Sequence, residues 1–297
     1  MAEICPVVNT ERLLLTTDGS DFSEGAVREA IRLAKQCSSK LAAITVIETN
    51  PEYETIAPQL LEKAEKAAWT TLEAVKVKAK TEGVECEISV HEGEESYHYI
   101  SDAAVKNKSS MIVMGRRGKA GIKKLMMGST TARVIGHAPC NVLVVPRAAQ
   151  IAFKNIVVAT DGSRYSAAAA SEAIGIAKRN NSALTIISVV PAELATPTDV
   201  DFAMPQLELM AEKEMHVAEK NAKEIKEAAV KAGVTVQAFV MSGKPAEAII
   251  ETAKDKNADL IVVGSHGRTG LEKLLMGSVA ERVIVLSNCA VLVVKSR

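Results

Sequence analysis

The sequence predicts an α/β protein built from two tandem, doubly wound domains, each with a five-stranded parallel sheet. In each half, apolar runs of strand length alternate with amphipathic helical segments, strand before helix, five times over. The second half repeats the first: Asp161-Gly-Ser163 matches Asp18-Gly-Ser20 at an offset of 161 − 18 = 143. A glycine-rich loop also stands between the fourth strand and the following helix of each half. Such alternation is typical of parallel sheets with helical crossovers.

The elements of the first half are predicted from the spacing of apolar residues and from glycine and proline at the ends of elements. Strands are predicted over residues 12–17, 41–47, 86–90, 111–114 and 141–145. Helices are predicted from about residue 22, over 59–81, over 97–106 and from about residue 129. Gly83 ends the long second helix, and a loop containing Pro51 precedes it.

The second half has the same order of elements with one insertion. Gly233 matches Gly83 at an offset of 150, so the offset grows by 150 − 143 = 7 after the second strand. This places an insertion in or near residues 191–205, which are rich in Pro, Ala and Thr. The predicted domains span residues 10–147 and 152–296.

The charge balance argues against nucleic acid and membrane partners. Lys plus Arg and Asp plus Glu both number 36 in 297 residues, so the chain has no general attraction to polyanions. The apolar runs are too short to span a bilayer. A local basic cluster lacks the interleaved aromatic residues that stack on bases, so it is interpreted as a rim that attracts phosphate. Its members are Arg116, Arg117, Lys119, Lys123 and Lys124.

The five cysteines are scattered through the chain without a Cys-x-x-Cys pair. This pattern favours reduced thiols over a disulfide framework or a zinc site. The N-terminal residues also lack the basic and apolar regions of a signal peptide. Together these features predict a cytoplasmic protein.

The glycine-rich loops have the chemistry of a phosphate cradle. Gly115-Arg-Arg-Gly118 leads to Gly128-Ser129, and Gly264-Ser-His-Gly267 leads to Gly277-Ser278, with the same spacing both times. Glycine allows close approach of the backbone, and unpaired N–H groups at a helix start favour an anion. A purely structural turn from strand to helix is the alternative. For Ser129 and Ser278, helix capping and phosphate binding are expected together, because both use the same location. Met126 and Met127 are expected to be core contacts at the entry to the helix.

One carboxylate stands at the end of the first strand in each half. If the first and fourth strands are neighbours, Asp18 and Gly115 share one crevice at the carboxyl edge of the sheet, where such folds bind ligands. The carboxylate and the loop would then hold opposite ends of one nucleotide, and Asp161 would act likewise. The alternative role for both aspartates is a turn or a helix N-cap.

At these residues the sequence resembles the universal stress protein family in its tandem form. The pattern that carries the resemblance is Gly-x-x-Gly-x9-Gly-Ser/Thr, which both halves satisfy. The resemblance implies an adenine nucleotide alpha-hydrolase-like fold with strand order 3-2-1-4-5. It also implies ATP bound between the first and fourth strands.

The resemblance assigns a role to each matching position. Asp18 and Asp161 would contact the nucleoside. Val46 and Val189, or their neighbours Ile47 and Val190, would pack on the adenine. The phosphates would be held in the first half by Gly115, Gly118, Gly128, Ser129 and Thr130, and in the second by Gly264, Gly267, Gly277, Ser278 and Val279.

The predicted function is that of an ATP-binding stress or regulatory protein that signals through unknown protein partners. ATP would carry Mg²⁺ or Mn²⁺ on its phosphates, since no protein carboxylate pair for the metal is evident. AMP or a cyclic nucleotide in place of ATP stays open. The alternatives are a slow ATP hydrolase or nucleotidyl enzyme, with His266 as a candidate general base, and an adaptor without nucleotide. The favoured role of His266 is packing in the loop or a hydrogen bond to a phosphate. No catalytic residue and no metal ligand are assigned.

The fifth strands, over residues 141–145 and 290–294, are apolar and lie at the sheet edge in the family order. Because exposed apolar edges invite pairing, the two halves are expected to form an intramolecular pseudo-dimer through these strands. Self-association of chains into a homo-oligomer is compatible with the same reasoning.

Overall fold

A computed structural model describes residues 5–7, 10–118, 126–191, 204–268 and 276–296. The chain divides into two compact units, Met1–Gln150 and Ile151–Arg297. Each is a parallel sheet with helical crossovers, which confirms the predicted fold class. Within the described ranges, no helix combines the length and the apolar content needed to cross a membrane.

The first unit contains five parallel strands in the order β3-β2-β1-β4-β5. They are β1 (Arg12–Thr16), β2 (Lys40–Glu48), β3 (Cys86–Gly93), β4 (Met111–Gly115) and β5 (Asn141–Val145). The strand order expected from the family resemblance is therefore confirmed. Leu13, Leu14 and Leu15 of the central strand β1 are at most 1% exposed. These three successive residues of β1 are all apolar because helices cover both faces of such a sheet.

The helices of the first unit are α1 (Glu24–Cys37), α2 (Pro51–Ile56), α3 (Pro58–Thr81), α4 (Ser96–Lys106) and α5 (Ser129–His137). The short helix α2 corrects the prediction of a loop at this place. Pro51 occupies the first helical position, where its fixed φ is favourable, and Pro58 excludes the helical conformation from the residue before it. Two closely spaced prolines thus delimit one helical turn and a half.

The second unit repeats this arrangement in the order β8-β7-β6-β9-β10. Its strands are β6 (Asn155–Thr160), β7 (Ala183–Pro191), β8 (Thr235–Gly243), β9 (Leu260–Gly264) and β10 (Ala290–Val294). Its helices are α6 (Arg164–Asn180), α7 (Met204–Lys231), α8 (Pro245–Asp255) and α9 (Ser278–Leu286). Most of the insertion predicted near residues 191–205 lies outside the described residues.

A disulfide joins Cys5 to Cys37, with an S–S distance of 2.10 Å and a Cα–Cα distance of 4.2 Å. The prediction that the cysteines are all reduced thiols is therefore wrong for this pair. Helix α1 runs back along the sheet, so its last residue, Cys37, returns to the segment that precedes β1. That proximity is tertiary and leaves no trace in cysteine spacing. Cys86 and Cys140 are buried thiols.

Candidate functional site

The carboxyl ends of β1 and β4 lie side by side in the first unit, since Thr16 pairs with Met114. Asp18 follows β1 by two residues, and the loop that begins at Gly115 follows β4. The two segments are in direct contact: a Cβ built on Gly118 would lie 2.5 Å from Oδ2 of Asp18. The predicted crevice is thus formed by the carboxylate and the glycine loop together.

This crevice is a cavity of about 690 Å³. Its walls include all seven residues that the sequence assigned to the first half, namely Asp18, Val46, Gly115, Gly118, Gly128, Ser129 and Thr130. Ile47, the alternative to Val46, lines it as well. Apolar side chains from β2, α3 and α4 share the walls with the polar backbone of the loop. The cavity therefore offers an apolar surface and a hydrogen-bonding surface to the same ligand.

The loop in the first unit is fixed by its own backbone. The N–H of Gly128 donates to the carbonyl of Arg116 at 3.1 Å, and the hydroxyl of Thr131 donates to the carbonyl of Gly115 at 3.1 Å. Gly128 is the N-cap residue of α5 and has no side chain with which to cap the helix. The capping role expected for Ser129 is wrong, because Ser129 is the first helical residue. The first residues of α5 therefore line the cavity without a capping side chain, as at anion sites of helix N-termini.

The two aspartates also stabilise their own turns. Oδ1 of Asp18 accepts hydrogen bonds from the N–H and hydroxyl of Ser20 at 3.0 and 2.7 Å. Oδ1 of Asp161 accepts from the N–H of Ser163 at 3.0 Å, and Oδ2 accepts from the N–H of Arg268 at 2.9 Å. The turn role is therefore real, whereas the N-cap of α6 is Ser163 rather than Asp161.

The electrostatics of Asp161 reflect these contacts. Burial alone would raise its pKa, but hydrogen bonds from Ser163, Ser166 and the backbone of Arg268 outweigh burial and hold the pKa below its ordinary value. The carboxylate is therefore ionised at neutral pH, half-buried and fixed against the loop. A group of this kind is suited to hydrogen-bonding a hydroxyl-bearing ligand.

The loop of the second unit has the same frame with different side chains. The N–H of Gly277 donates to the carbonyl of Ser265 at 2.9 Å, as Gly128 does to Arg116. A Cβ on Gly267 would lie 2.8 Å from Oδ2 of Asp161, so this loop also contacts its aspartate. Gly277 is the N-cap of α9, and Ser278 is its first residue, so the expected capping role is wrong here too. Val279 is 37% exposed on the first turn of α9.

His266 packs inside this turn. Its Nδ1 lies 3.1 Å from the hydroxyl of Ser265, and its ring centroid lies 5.1 Å from that of Tyr165. The Ser265 side chain is buried, with 1% of the residue exposed, so its hydroxyl is not open to attack a ligand. The serine and histidine therefore form a structural contact in the loop.

Sequence comparison agrees with this geometry. The chain matches the family model of the universal stress protein family at residues 9–146 and again at residues 152–295. The chain belongs to the universal stress protein family. A universal stress protein of Methanocaldococcus jannaschii is 41% identical over 145 residues, which are 48% of this chain and 82% of that protein.

Solved structures share the whole tandem architecture. A universal stress protein from Archaeoglobus fulgidus superposes with a TM-score of 0.74 at 23% identity, covering 96% of both chains. A functionally unknown protein from Pseudomonas aeruginosa has a TM-score of 0.63 at 18% identity, covering 97% of this chain and 93% of that one. At these identities the likeness establishes the fold of a two-domain universal stress protein and nothing finer.

The paired arginines of the first universal stress protein domain have different positions. Arg117 lines the cavity, with its guanidinium carbon 6.0 Å from the centroid of the Phe22 ring. Arg116 supplies a carbonyl to the loop. Burial, and secondarily the charge of Arg117, lowers the pKa of Arg116. The other members of the predicted basic rim, Lys119, Lys123 and Lys124, lie outside the described residues.

Several cavity residues were not predicted to be functional. Met126 was expected in the core, which is wrong: it is 61% exposed and lines the cavity with Met127. Glu48 and Ser96 also line the cavity. Glu48 is the first charged residue after the apolar part of β2, and that position was the available signal. Within the described ranges, no group of three or more His, Cys, Asp or Glu residues is arranged to hold a metal ion.

Proposed function

We propose that each half of this universal stress protein binds an adenine nucleotide, ATP with Mg²⁺ or Mn²⁺ on its phosphates. In this proposal the protein is a stress-response regulator that presents its nucleotide-bound state to protein partners and does not depend on turnover. The observation that carries the proposal is the cavity of the first unit, which brings Asp18, Val46 and the glycine loop to one place.

The size and lining of the cavity support this ligand class. A volume of about 690 Å³ is within the range of roughly 300–1,000 Å³ that small-molecule sites occupy. Val46 and Ile47 offer an apolar surface for a base, and Asp18 offers a carboxylate for ribose hydroxyls. The uncapped start of α5 offers backbone N–H groups for phosphates. The second unit has the same contact between aspartate and loop glycine, which supports a second site.

The divalent cation is assigned to the ligand because no ready-made protein cage is available among the described residues. Mg²⁺ characteristically keeps several waters and binds through phosphates with one or two carboxylates. A cytoplasmic location is part of the proposal. The Cys5–Cys37 disulfide is the observation against it, since disulfides are rare in reducing compartments.

Mass spectrometry of small molecules released from the purified protein tests the ligand class directly. We expect an adenine nucleotide, and AMP or a cyclic nucleotide would be recognised by mass. Equilibrium dialysis with ATP then counts sites: two per chain, falling to one in Gly118→Val and one in Gly267→Val. No released nucleotide and no ATP binding would favour the adaptor alternative. Unchanged stoichiometry in both variants would remove the loops from the site.

A further inference from the structure

A carboxylate and two hydroxyls meet at one wall of the first-unit cavity. The Ser96 hydroxyl donates to Oε1 of Glu48 at 2.5 Å, and the Thr130 hydroxyl approaches the same oxygen at 3.4 Å. The two hydroxyl oxygens are 3.3 Å apart. Glu48 ends β2, Ser96 begins α4, and Thr130 is the second residue of α5. An acidic group therefore stands at the helix start where the proposed phosphates bind.

At the three matching positions, the second unit has no counterpart of this polar set. The residue that ends β7 is Pro191, the residue that begins α8 is Pro245, and the second residue of α9 is Val279. A carboxylate and two hydroxyls in one half correspond to three apolar residues in the other. The glycines, the aspartate and the loop frame are common to both halves, so the halves differ at this wall and in the side chains that the loop carries.

The position of Glu48 is unfavourable for a bare polyphosphate. Like charges repel at short range, and a partly enclosed cavity screens them less than open water does. Within the described part of the chain, Glu48 forms no ion pair, and both of its hydroxyl contacts use Oε1. The second carboxylate oxygen, Oε2, is therefore available to a cation. Mg²⁺ bound by phosphates and one carboxylate removes the repulsion and turns it into attraction.

We propose that Glu48 is a protein ligand of the divalent cation that accompanies the nucleotide phosphates in the first half. At the matching positions the second half offers Pro191, Pro245 and Val279, so these positions supply no ligand to the cation. The inference rests on the proposed nucleotide function and adds to it a difference in cation requirement between the two sites. Ser96 and Thr130 are positioning residues, since their hydroxyls hold Oε1 and leave Oε2 to the metal.

The test uses the full chain with one site blocked. In the Gly267→Val background, ATP is titrated calorimetrically into the first site in MgCl₂ and again in EDTA. The measured quantity is the dissociation constant in EDTA divided by the dissociation constant in MgCl₂, called the magnesium ratio. The second site, measured in the Gly118→Val background, supplies the baseline, because Mg²⁺ also changes the charge of free ATP. Glu48→Gln removes the charge at nearly constant shape, and Glu48→Asp keeps it. Glu92→Gln is the matched control, since Glu92 is an exposed carboxylate on β3 beside Ile47 that does not line the cavity.

We expect the magnesium ratio of the first site to exceed that of the second by about tenfold, which corresponds to ~1.4 kcal/mol. Glu48→Gln should reduce the magnesium ratio to the baseline, because the variant should bind ATP more weakly in MgCl₂ and more tightly in EDTA. Glu48→Asp should retain part of the effect, and Glu92→Gln should leave the ratio unchanged.

The contrary outcomes are distinct. Equal magnesium ratios at the two sites, or a Glu48→Gln ratio equal to that of the parent, would overturn the inference while leaving nucleotide binding intact. Stronger binding of Glu48→Gln by the same factor in both buffers would overturn it too, and would make Glu48 an internal competitor of the phosphates. Absence of ATP binding in the unblocked chain would overturn the proposed function, and this inference with it.

Discussion

Replacing Gly118 with alanine should weaken ATP binding at the first site by displacing Asp18. The Cβ of the new side chain would lie 2.5 Å from Oδ2 of Asp18, closer than real Cβ contacts. The obstruction is the end of a flexible side chain, so the carboxylate moves and the fold persists. Gly128→Ala controls for the stability of the fold only, because its Cβ would meet no atom nearer than 3.5 Å, whereas Gly128 itself belongs to the proposed phosphate site.

The size of the effect follows from what Asp18 loses. A hydrogen bond to a charged group contributes about 1.5–3 kcal/mol, so one lost contact to a ribose hydroxyl weakens ATP roughly tenfold to 150-fold. The loss of unfolding free energy should be near 1 kcal/mol or less, about the value of an exposed charged contact. That loss comes from the bonds of Asp18 to Ser20, in a half-exposed turn.

A double-mutant cycle measured by calorimetry checks the reasoning. If Gly118→Ala acts through Asp18, the double variant Asp18→Ala/Gly118→Ala should bind ATP no more weakly than Asp18→Ala alone. Additive losses would refute this reasoning and would mean that the alanine obstructs the phosphates directly. An affinity of Gly118→Ala within twofold of the parent would remove Asp18 from the site.

Four further predictions follow from the same geometry. Arg117→Ala should weaken ATP binding at the first site several-fold and reduce its salt dependence, since an exposed charged contact contributes about 0–1 kcal/mol. Arg116→Ala should have a smaller effect. Equal effects of the two variants in salt titrations would contradict the assignment of Arg117 to the phosphates. Phosphate release should stay far below the roughly 1–1,000 s⁻¹ of typical enzymes and be unchanged in His266→Ala; many turnovers per second lost in that variant would restore the hydrolase alternative. Because the pKa of Asp161 is lower in the folded chain, its stabilisation is present above the unfolded pKa of about 3.9 and is lost as pH falls through the folded pKa. The difference in melting temperature between the parent and Asp161→Asn should therefore shrink below about pH 4. A difference that stays constant with pH would contradict this prediction. Burial raises the pKa of Cys86 to about 11, so this thiol should resist alkylation at pH 8 until the chain unfolds, as peptide mass mapping would report.

The strands and the glycine loops could be predicted because their signals are local. A continuous apolar run such as 13–15 identifies a strand buried on both faces. The glycine spacing of the loops occurs once in each half, which makes a coincidental match improbable. Strand adjacency then brings Asp18 to the loop without further information. The strand order itself came from the family resemblance, and the pairing of Thr16 with Met114 agrees with it.

The residues that escaped prediction depend on contacts between distant segments. Glu48 meets Ser96 and Thr130 only because the sheet order places β2 beside α4 and α5. The three residues are far apart in the sequence, so they form no recognisable sequence motif. Met126 is 61% exposed, which the hydrophobicity of methionine does not predict. Cys5 and Cys37 meet because α1 returns antiparallel to β1, which cysteine spacing does not encode.

The disulfide between Cys5 and Cys37 also bears on how ligand binding is measured. It closes a loop with a sequence separation of 32 that contains β1 and Asp18. Cross-linking a loop of this length removes denatured-chain entropy worth about 3–4 kcal/mol. A ligand at 100 times its dissociation constant stabilises the native state by about 2.7 kcal/mol. Oxidation and nucleotide occupancy would therefore shift the melting of the first unit by similar amounts. A thermal-shift screen on this protein reports nucleotide binding only when samples with and without ligand contain the same concentration of reductant.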